Sequence, residues 1–487
     1  MLMKKANIHV TTTTKIGKIS PLIYGHFAEH IGGVIYDGIW VGKNSEIPNI
    51  EGYRADVLDA FKKVRPSVIR WPGGCFAETY NWRDGIGEER PTRLSWWTSQ
   101  DGLYETNEFG LHEFIGFCRL VGAEPYIAIN TTSMTPMDAR DLVDYCNSPR
   151  GTTSLAIQRE KNGSPEPFAI KYFGIGNENW GGGGTMSAEQ YAYEYRKYSA
   201  TVRNADKNAI LVAGGANYHS DEWAKTFLSY LKESYGTPVA MDAFSFHYYF
   251  SGKDDVNFSE QEWTETVESA QKTESFIKRL TDIIDAAGLE KKPELYIDEW
   301  GAMYKSGVGA KEKNQLFRQQ CTMRDAVVSA LTLNLFNNYA AMIKMANVAQ
   351  ISNCLTSLFL TDGKAFLKTP VYHIFDMFSS HQDAEALLSE ALDKEISVSA
   401  SEKDGSITVT LANLSCCEDK EINLLIDGNN ARIGEITLLS ANNPCSINDF
   451  DEPNRISPKT ETASLQTAIV LPRASVVKIS LKREEKE

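Results

Sequence analysis

The sequence predicts an α/β fold, a (β/α)8 TIM barrel with an appended C-terminal β-sandwich (jelly-roll-like) domain. Three observations carry this. Eight short, mostly continuous apolar runs fall between residues 21 and 350, and helical stretches separate most of them. Continuous rather than alternating runs fit strands buried on both faces, and alternation of strand with helix implies right-handed parallel crossovers. Past about residue 380 the texture changes to alternating strands joined by turns.

The runs in order are "PLIYGHF" (Pro21 to Phe27), "SVIRW" (Ser67 to Trp71), "PYIAIN" (Pro125 to Asn130), "IKYFGIG" (Ile170 to Gly176), "AILVAGG" (Ala209 to Gly215), "DAFSFHYY" (Asp242 to Tyr249), "ELYIDEW" (Glu294 to Trp300) and "MIKMANVAQ" (Met342 to Gln350). Helices are expected from Ala55, after Ser187, from Asp221, and over Gln315 to Phe336. Ser187 and Gln190 have the spacing of a capping box. Eight such units close a barrel. An open doubly wound sheet lacks its fingerprint here, because no GxGxxG joins a first strand to its helix.

"KEISVSASEKDGSITVTLANL" reads as a hairpin turning at Asp404-Gly405, and four further strand-like runs follow to the C-terminus. The N-terminal "ANIHVTTTT" alternates in the same way and is expected to pair into that domain. The expected division is 19–380 for the barrel and 1–18 plus 381–487 for the sandwich.

The chain has 487 residues, 42% of them hydrophobic, which is enough for a large core. Its 50 basic and 64 acidic residues give a net charge of -14, which argues against nucleic acid and anionic membranes as partners. The N-terminal residues have no apolar stretch of the signal-peptide kind, and the eight cysteines form no CxxC or Cys/His cluster. Reduced thiols, a cytoplasmic location and no metal are the expectation.

In a barrel, chemistry sits at the C-terminal ends of the strands. Those ends place Glu29, Arg70, Asn130, Asn177, Glu178, His247, Tyr249, Glu299 and Gln350 together, with no Ser/His/Asp set and no phosphate loop. Four glycines follow at Gly181 to Gly184 and let the loop fold away from the mouth. Two glutamates on facing strands suggest glycoside hydrolysis, which needs an acid for the leaving oxygen and a carboxylate for the anomeric carbon. Either Asp298 or Glu299 fits the second role by position, and strand alternation points the two to opposite sides. His247 reads equally as a core histidine or a site residue. His26 and His30 read as structural, because a strand does not converge an i, i+4 pair. Trp96 and Trp97 read equally as barrel caps or as sugar platforms.

Here the resemblance becomes specific. "YGHFAEHIGG", "RWPGGCFAETYNWRDGIG", "FGIGNENWGGGG" and "IDEWG", in this order, resemble the α-L-arabinofuranosidases of glycoside hydrolase family 51. The resemblance implies a retaining exo-enzyme acting on arabinofuranosyl oligosaccharides without cofactor, with Glu178 as acid/base and Glu299 as nucleophile. It implies that Glu29, Arg70, Asn177, Tyr249 and Gln350 hold the furanose or orient the carboxylates. Cys75 falls where some members carry Asn. Met303 and Tyr304 occupy the region where some relatives place a stacking aromatic. A homo-oligomer, a hexamer, is also implied. The rivals are another barrel glycosidase (an endoglucanase or β-xylosidase) and a carbohydrate-binding protein without catalysis.

Overall fold

The computed structural model describes residues 4–97, 104–216, 220–232, 239–307, 315–462 and 468–482. Among them β1 (Lys4–Lys18) leads into eight barrel strands: β2 (Gly25–Phe27), β3 (Val68–Trp71), β4 (Glu124–Ile129), β5 (Tyr172–Ile175), β6 (Ile210–Ala216), β7 (Ala243–Gly252), β8 (Glu294–Tyr304) and β9 (Ile343–Ala349). All neighbours are parallel in chain order, and β9 closes on β2 through Ala349 opposite Phe27. Val68, Tyr126, Tyr172, Val212, Ala243, Tyr296 and Met345 form their own buried cluster, one of which comes from almost every strand, and fill the barrel interior.

The helices are α1 (Ala55–Lys63), α2 (Leu111–Val121), α3 (Pro136–Asn147), α4 (Ser154–Lys161), α5 (Ala188–Ala205), α6 (Asp221–Lys232), α7 (Glu260–Ala287), α8 (Met323–Asn338) and α9 (Pro370–Phe378). The capping box expected at the start of α5 forms: Ser187 Oγ accepts from Gln190 N, and Gln190 Oε1 accepts from Ser187 N. The helix expected over Gln315 to Phe336 starts later, at Met323, where Thr322 and Asp325 make a capping box of their own. Apolar Leu316 and Phe317 look helical in sequence, but Phe317 has φ 56° and its carbonyl accepts from Leu355 N. The first barrel strand is also shorter than its apolar run. Pro21–Tyr24 is a 3-10 turn capped by Ser20, whose Oγ accepts from Leu22 N. The proline, which has no N–H to give a ladder, favours that turn start.

The C-terminal strands are β10 (Glu385–Ala391), β11 (Ile396–Lys403), β12 (Ser406–Asn413), β13 (Lys420–Ile426), β14 (Glu435–Leu439), β15 (Lys459–Thr462), β16 (Ala468–Leu471) and β17 (Val476–Lys482). They form a sheet in the order β13-β1-β10-β11-β12-β17-β14-β15, with β16 and a two-residue strand at Asn429–Asn430 also on β13. The hairpin turns at Asp404 and Gly405, both at positive φ. The N-terminal β1 lies between β10 (antiparallel) and β13 (parallel). The sheet encloses a separate core that includes Ile8, Val10, Val398, Val409, Leu411, Leu424 and Ile479. It meets the barrel through polar residues of α8: Asn334 Oδ1 accepts from Ser399 Oγ and Thr410 Oγ1 at 2.8 and 2.7 Å, and Asn337 Nδ2 donates to Ser399 Oγ at 3.1 Å. No helix among the described residues is long and apolar enough to cross a membrane.

Candidate active site

Strand ends gather the site at one mouth of the barrel. Arg70, ending on β3, is 1% exposed. It donates from Nη1 to Glu299 Oε1 at 2.9 Å and from Nη2 to Asn177 Oδ1 at 2.6 Å, with its guanidinium 4.9 Å from the Phe27 ring. Tyr249, on β7, donates to Glu299 Oε2 at 2.7 Å. Both oxygens of Glu299 are therefore held. His247, also on β7, lies between the two glutamates, with Nδ1 2.9 Å from Glu178 Oε1 and 3.5 Å from Glu299 Oε1. Of the pair, Glu299 is buried, and Glu178 keeps 22% of its side chain open to solvent.

Asp298 and Glu299 do not part as alternation predicts. In the β7–β8 register Phe246 pairs with Ile297 and His247 pairs with Glu299, so Asp298 is an extra residue on β8. Such a bulge re-aims the next side chain. As a result both carboxylates approach Arg70: Asp298 Oδ2 is 4.0 Å from Arg70 Nε and accepts from Tyr126 OH at 2.9 Å. Asp298 sits above the tyrosine-lined interior, and Glu299 stands at the mouth.

Glu29, just past β2, accepts on Oε1 from Gly74 N and Phe76 N at 3.1 and 3.0 Å. Gln350, just past β9, accepts from Glu29 N and donates to Glu29 Oε2. Close backbone approach dictates Gly74, because a Cβ there would lie 2.7 Å from Glu299 Oε1. Gly183 is dictated in the same way, since its Cβ would fall 1.9 Å from the Asn177 carbonyl oxygen. The glycine run thus serves a tight return of the loop on itself, with Gly181 N and Gly183 N both donating to Glu178 O. Glu178 itself has φ 41°, a left-handed conformation that costs a non-glycine residue about 1–3 kcal/mol.

Cys75 is half-buried, and a Cβ on Gly182 would lie 2.8 Å from its Sγ and 3.6 Å from Trp96 Cζ2. Cys75 and Trp96 therefore flank the glycine loop. Trp97 packs edge-on against Phe317 and is buried. Tyr304 is fully buried with its hydroxyl donated to Asp325, whereas Met303 is 37% exposed, so of these two only Met303 reaches the surface. Asn130 turns to structure: its Nδ2 donates to Tyr80 O and its Oδ1 accepts from Thr132 N and Ser133 N. His30 also serves packing, bonded to Glu105 and to the Trp71 indole N–H, and His26 lies between Phe61 and Phe375. Glu78, inside the "RWPGGCFAETYNWRDGIG" motif, is a site residue that the sequence does not single out. This fully buried carboxylate accepts from Asn177 N at 2.6 Å. Nothing local in sequence signals it, because its closest partners are backbone N–H groups, with the Thr131 hydroxyl at 3.5 Å.

The site's charges shift one another. Burial pushes the Glu29 carboxyl up to about 7, and the nearby Glu299 charge adds to the rise. Burial would also raise Glu299, but the His247 and Arg70 charges outweigh it and hold Glu299 below the usual carboxylate range. For His247, burial opposes the charged form, yet Glu299 and Glu178 together raise its pKa. Burial, reinforced by the surrounding glutamates, keeps Cys75 a protonated thiol. One ligand atom each of Glu178, His247 and Glu299 lie within 4.8 Å of one another, a spacing a cation also uses. Here a hydrogen bond already joins His247 to Glu178, and the Arg70 guanidinium on Glu299 opposes a second positive charge.

A parallel barrel holding two glutamates at facing strand ends, one clamped by Arg and Tyr and the other partly open, defines a barrel glycoside hydrolase. Comparison narrows the class. Residues 60–270 match the model of the α-L-arabinofuranosidase 1 domain, and residues 298–475 that of the α-L-arabinofuranosidase C-terminal domain. The second match starts on β8, so it takes in the end of the barrel as well as the sheet. An intracellular exo-α-L-arabinofuranosidase of Bacteroides ovatus is 38% identical over 94% of this chain and 92% of its own. The GH51 arabinofuranosidase of Xanthomonas axonopodis pv. citri superposes with TM-score 0.91 at 32% identity, covering 98% of this chain and all of that one. The thermostable GH51 α-L-arabinofuranosidase of Thermotoga petrophila RKU-1 gives 0.88 at 26% identity with the same coverage. The chain belongs to the α-L-arabinofuranosidases of glycoside hydrolase family 51.

Proposed function

We propose that the protein is a retaining exo-α-L-arabinofuranosidase working by double displacement, with Glu299 as nucleophile and Glu178 as acid/base. The observation that carries the reading is the spacing: oxygens of the two carboxylates lie within 4.8 Å. Retaining pairs stand roughly 5–5.5 Å apart, whereas inverting pairs leave about 6.5–9.5 Å for a water. In the first step Glu178 gives its proton to the glycosidic oxygen as Glu299 bonds to the anomeric carbon. In the second, Glu178 takes a proton from water as water displaces Glu299.

The assignment of the two roles follows from their surroundings. Arg70 and Tyr249 favour the ionised form of Glu299, as a nucleophile requires. Esterification of Glu299 removes a negative charge beside Glu178 and His247, which favours an ionised Glu178 in time for the second step. Asn177 Nδ2 is buried without a partner among the described residues, which leaves a donor for a sugar hydroxyl. Glu29, Gln350 and Cys75 complete the furanose pocket. The substrates are terminal non-reducing arabinofuranosyl groups of arabinan, arabinoxylan or, above all, their short oligosaccharides taken up into the cytoplasm. Assembly as a hexamer belongs to the same reading.

The experiment is proton NMR on an aryl α-L-arabinofuranoside during the first minutes of turnover, within a panel of aryl glycosides carrying other sugars. The α-furanose appears first, and the arabinofuranoside is the preferred substrate. The β-anomer appearing first overturns retention. Glu299→Ala is expected to stay folded and lose nearly all turnover, with azide or formate restoring part of it to give product of inverted configuration.

A further inference from the structure

We propose that Glu78 is a positioning residue for the proton donor. Its buried carboxylate sets the backbone of Asn177 and Glu178 and thereby the reach of the Glu178 carboxyl. The inference rests on the acid/base reading of Glu178.

Glu78 lies in the 3-10 turn Cys75–Thr79 after β3. Its Oε1 accepts from Asn177 N at 2.6 Å, and its Oε2 accepts from Thr131 N and Thr132 N at 3.0 and 2.9 Å. One carboxylate therefore ties together the loops after three consecutive strands, β3, β4 and β5. All these partners are neutral backbone donors, and the side chain is fully buried. A buried carboxylate is costly unless its oxygens are bonded, so its place here needs a reason beyond packing.

The reason lies one residue further along. Glu178 holds a left-handed backbone, and such a residue relaxes unless its neighbours fix it. Gly181 N and Gly183 N fix its carbonyl side. Asn179 Nδ2 donates to Thr131 Oγ1, itself on the loop that Glu78 holds. Glu78 supplies the remaining grip, on the peptide N–H of the preceding residue. At the other end of the same turn, Glu29 accepts from Gly74 N and Phe76 N. The turn is thus pinned by two buried carboxylates, one facing the sugar pocket and one behind the proton donor. Glu299, on β8, has both carboxylate oxygens held by Arg70 and Tyr249 and makes no hydrogen bond to Glu78.

Glu78→Gln keeps the shape but can offer only one acceptor oxygen, so one of its two bonded sides then meets an N–H with its own N–H. The test compares this variant with Glu178→Ala on two substrates: a 2,4-dinitrophenyl arabinofuranoside, whose leaving group needs little protonation, and an arabinan oligosaccharide, whose leaving group needs it fully. Misplacing an acid costs on the order of 100-fold. Glu78→Gln is therefore expected to lose about 100-fold in kcat/KM on the oligosaccharide and only a few-fold on the aryl substrate. Glu78→Asp, which keeps the charge, is expected to split the substrates in the same sense but less. It also carries the comparison if the Gln variant does not fold. Equal losses on both substrates in either folded variant, or no loss, overturn the inference. Glu178→Ala separates the two ideas. If it splits the substrates and the Glu78 variants do not, only the inference fails; if Glu178→Ala itself loses equally on both, the proton-donor reading fails first.

Discussion

Glu29 shows how a single buried group leaves a mark on solution behaviour. Its carboxyl is pushed from 4.5 to about 7, so the folded protein holds a proton that the unfolded chain releases earlier. The stability that Glu29 contributes is complete below about 4.5 and is lost as the pH rises through about 7. His247, also raised, works in the same sense, and Glu299, lowered, works in the opposite sense at acid pH. Urea unfolding of Glu29→Gln across that window should therefore show a flatter decline in stability with rising pH than the parent protein. A steeper decline would reverse the assigned direction. Most site residues were legible from sequence, because strand ends in a barrel announce themselves. His247 is the exception, since sequence cannot tell a core histidine from one that lies between two carboxylates.

Elements explain why some side chains face the mouth against expectation. The bulge at Asp298 depends on the register with β7, and no local pattern in β8 reveals a partner's register. That is why alternation sent Asp298 and Glu299 to opposite sides. The late start of α8 and the 3-10 turn before β2 are smaller cases of one cause: apolar runs mark burial, but a cap or a proline decides where regular structure begins. In sequence the Gly-Gly pair after β3 is only part of a motif, yet Gly74 is bound by an atom-level constraint. Gly74→Ala would press a methyl carbon within 2.7 Å of Glu299 Oε1. Since displacing a nucleophile by about 1 Å costs roughly 100-fold, kcat/KM should fall by about that factor on aryl and natural substrates alike, with circular dichroism unchanged. Activity within a few-fold of the parent would show that Glu299 can yield to the methyl without loss.

At the scale of the whole molecule, the seam between barrel and sheet sets polar residues among apolar ones, since Ala412, Leu414, Leu439 and Val476 pack into the barrel's core cluster. Asn334 Oδ1 accepts from both Ser399 and Thr410. Asn334→Leu leaves both hydroxyls buried without that acceptor, at about 1–3 kcal/mol. The expected result is a thermal midpoint lower by several degrees with kcat/KM unchanged, read by calorimetry beside a kinetic assay. Loss of activity in step with stability would mean the seam reaches the mouth. The change of texture near residue 380 made the two architectures visible in sequence. The seam was not visible, because asparagines and serines far apart in the chain carry no shared pattern.

The first strand has a consequence for synthesis. Thr12 in β1 bonds Asp427, 415 residues away. At about 5–20 residues per second, β1 emerges from the ribosome roughly 20–80 s before that partner exists. During this time it is an unpaired strand, open to pairing with the wrong chain. Its composition suits the wait. Lys4, Lys5, Lys15 and Lys18 lie at its two ends, and four consecutive threonines follow Val10 instead of a further apolar run. Charge at both ends and hydroxyls in the middle guard a nascent strand against aggregation. Once the chain is complete the same lysines find carboxylates on the sheet, Lys4 on Asp393 and Lys5 on Glu421, so the residues that keep the strand solitary early help to seat it at the end.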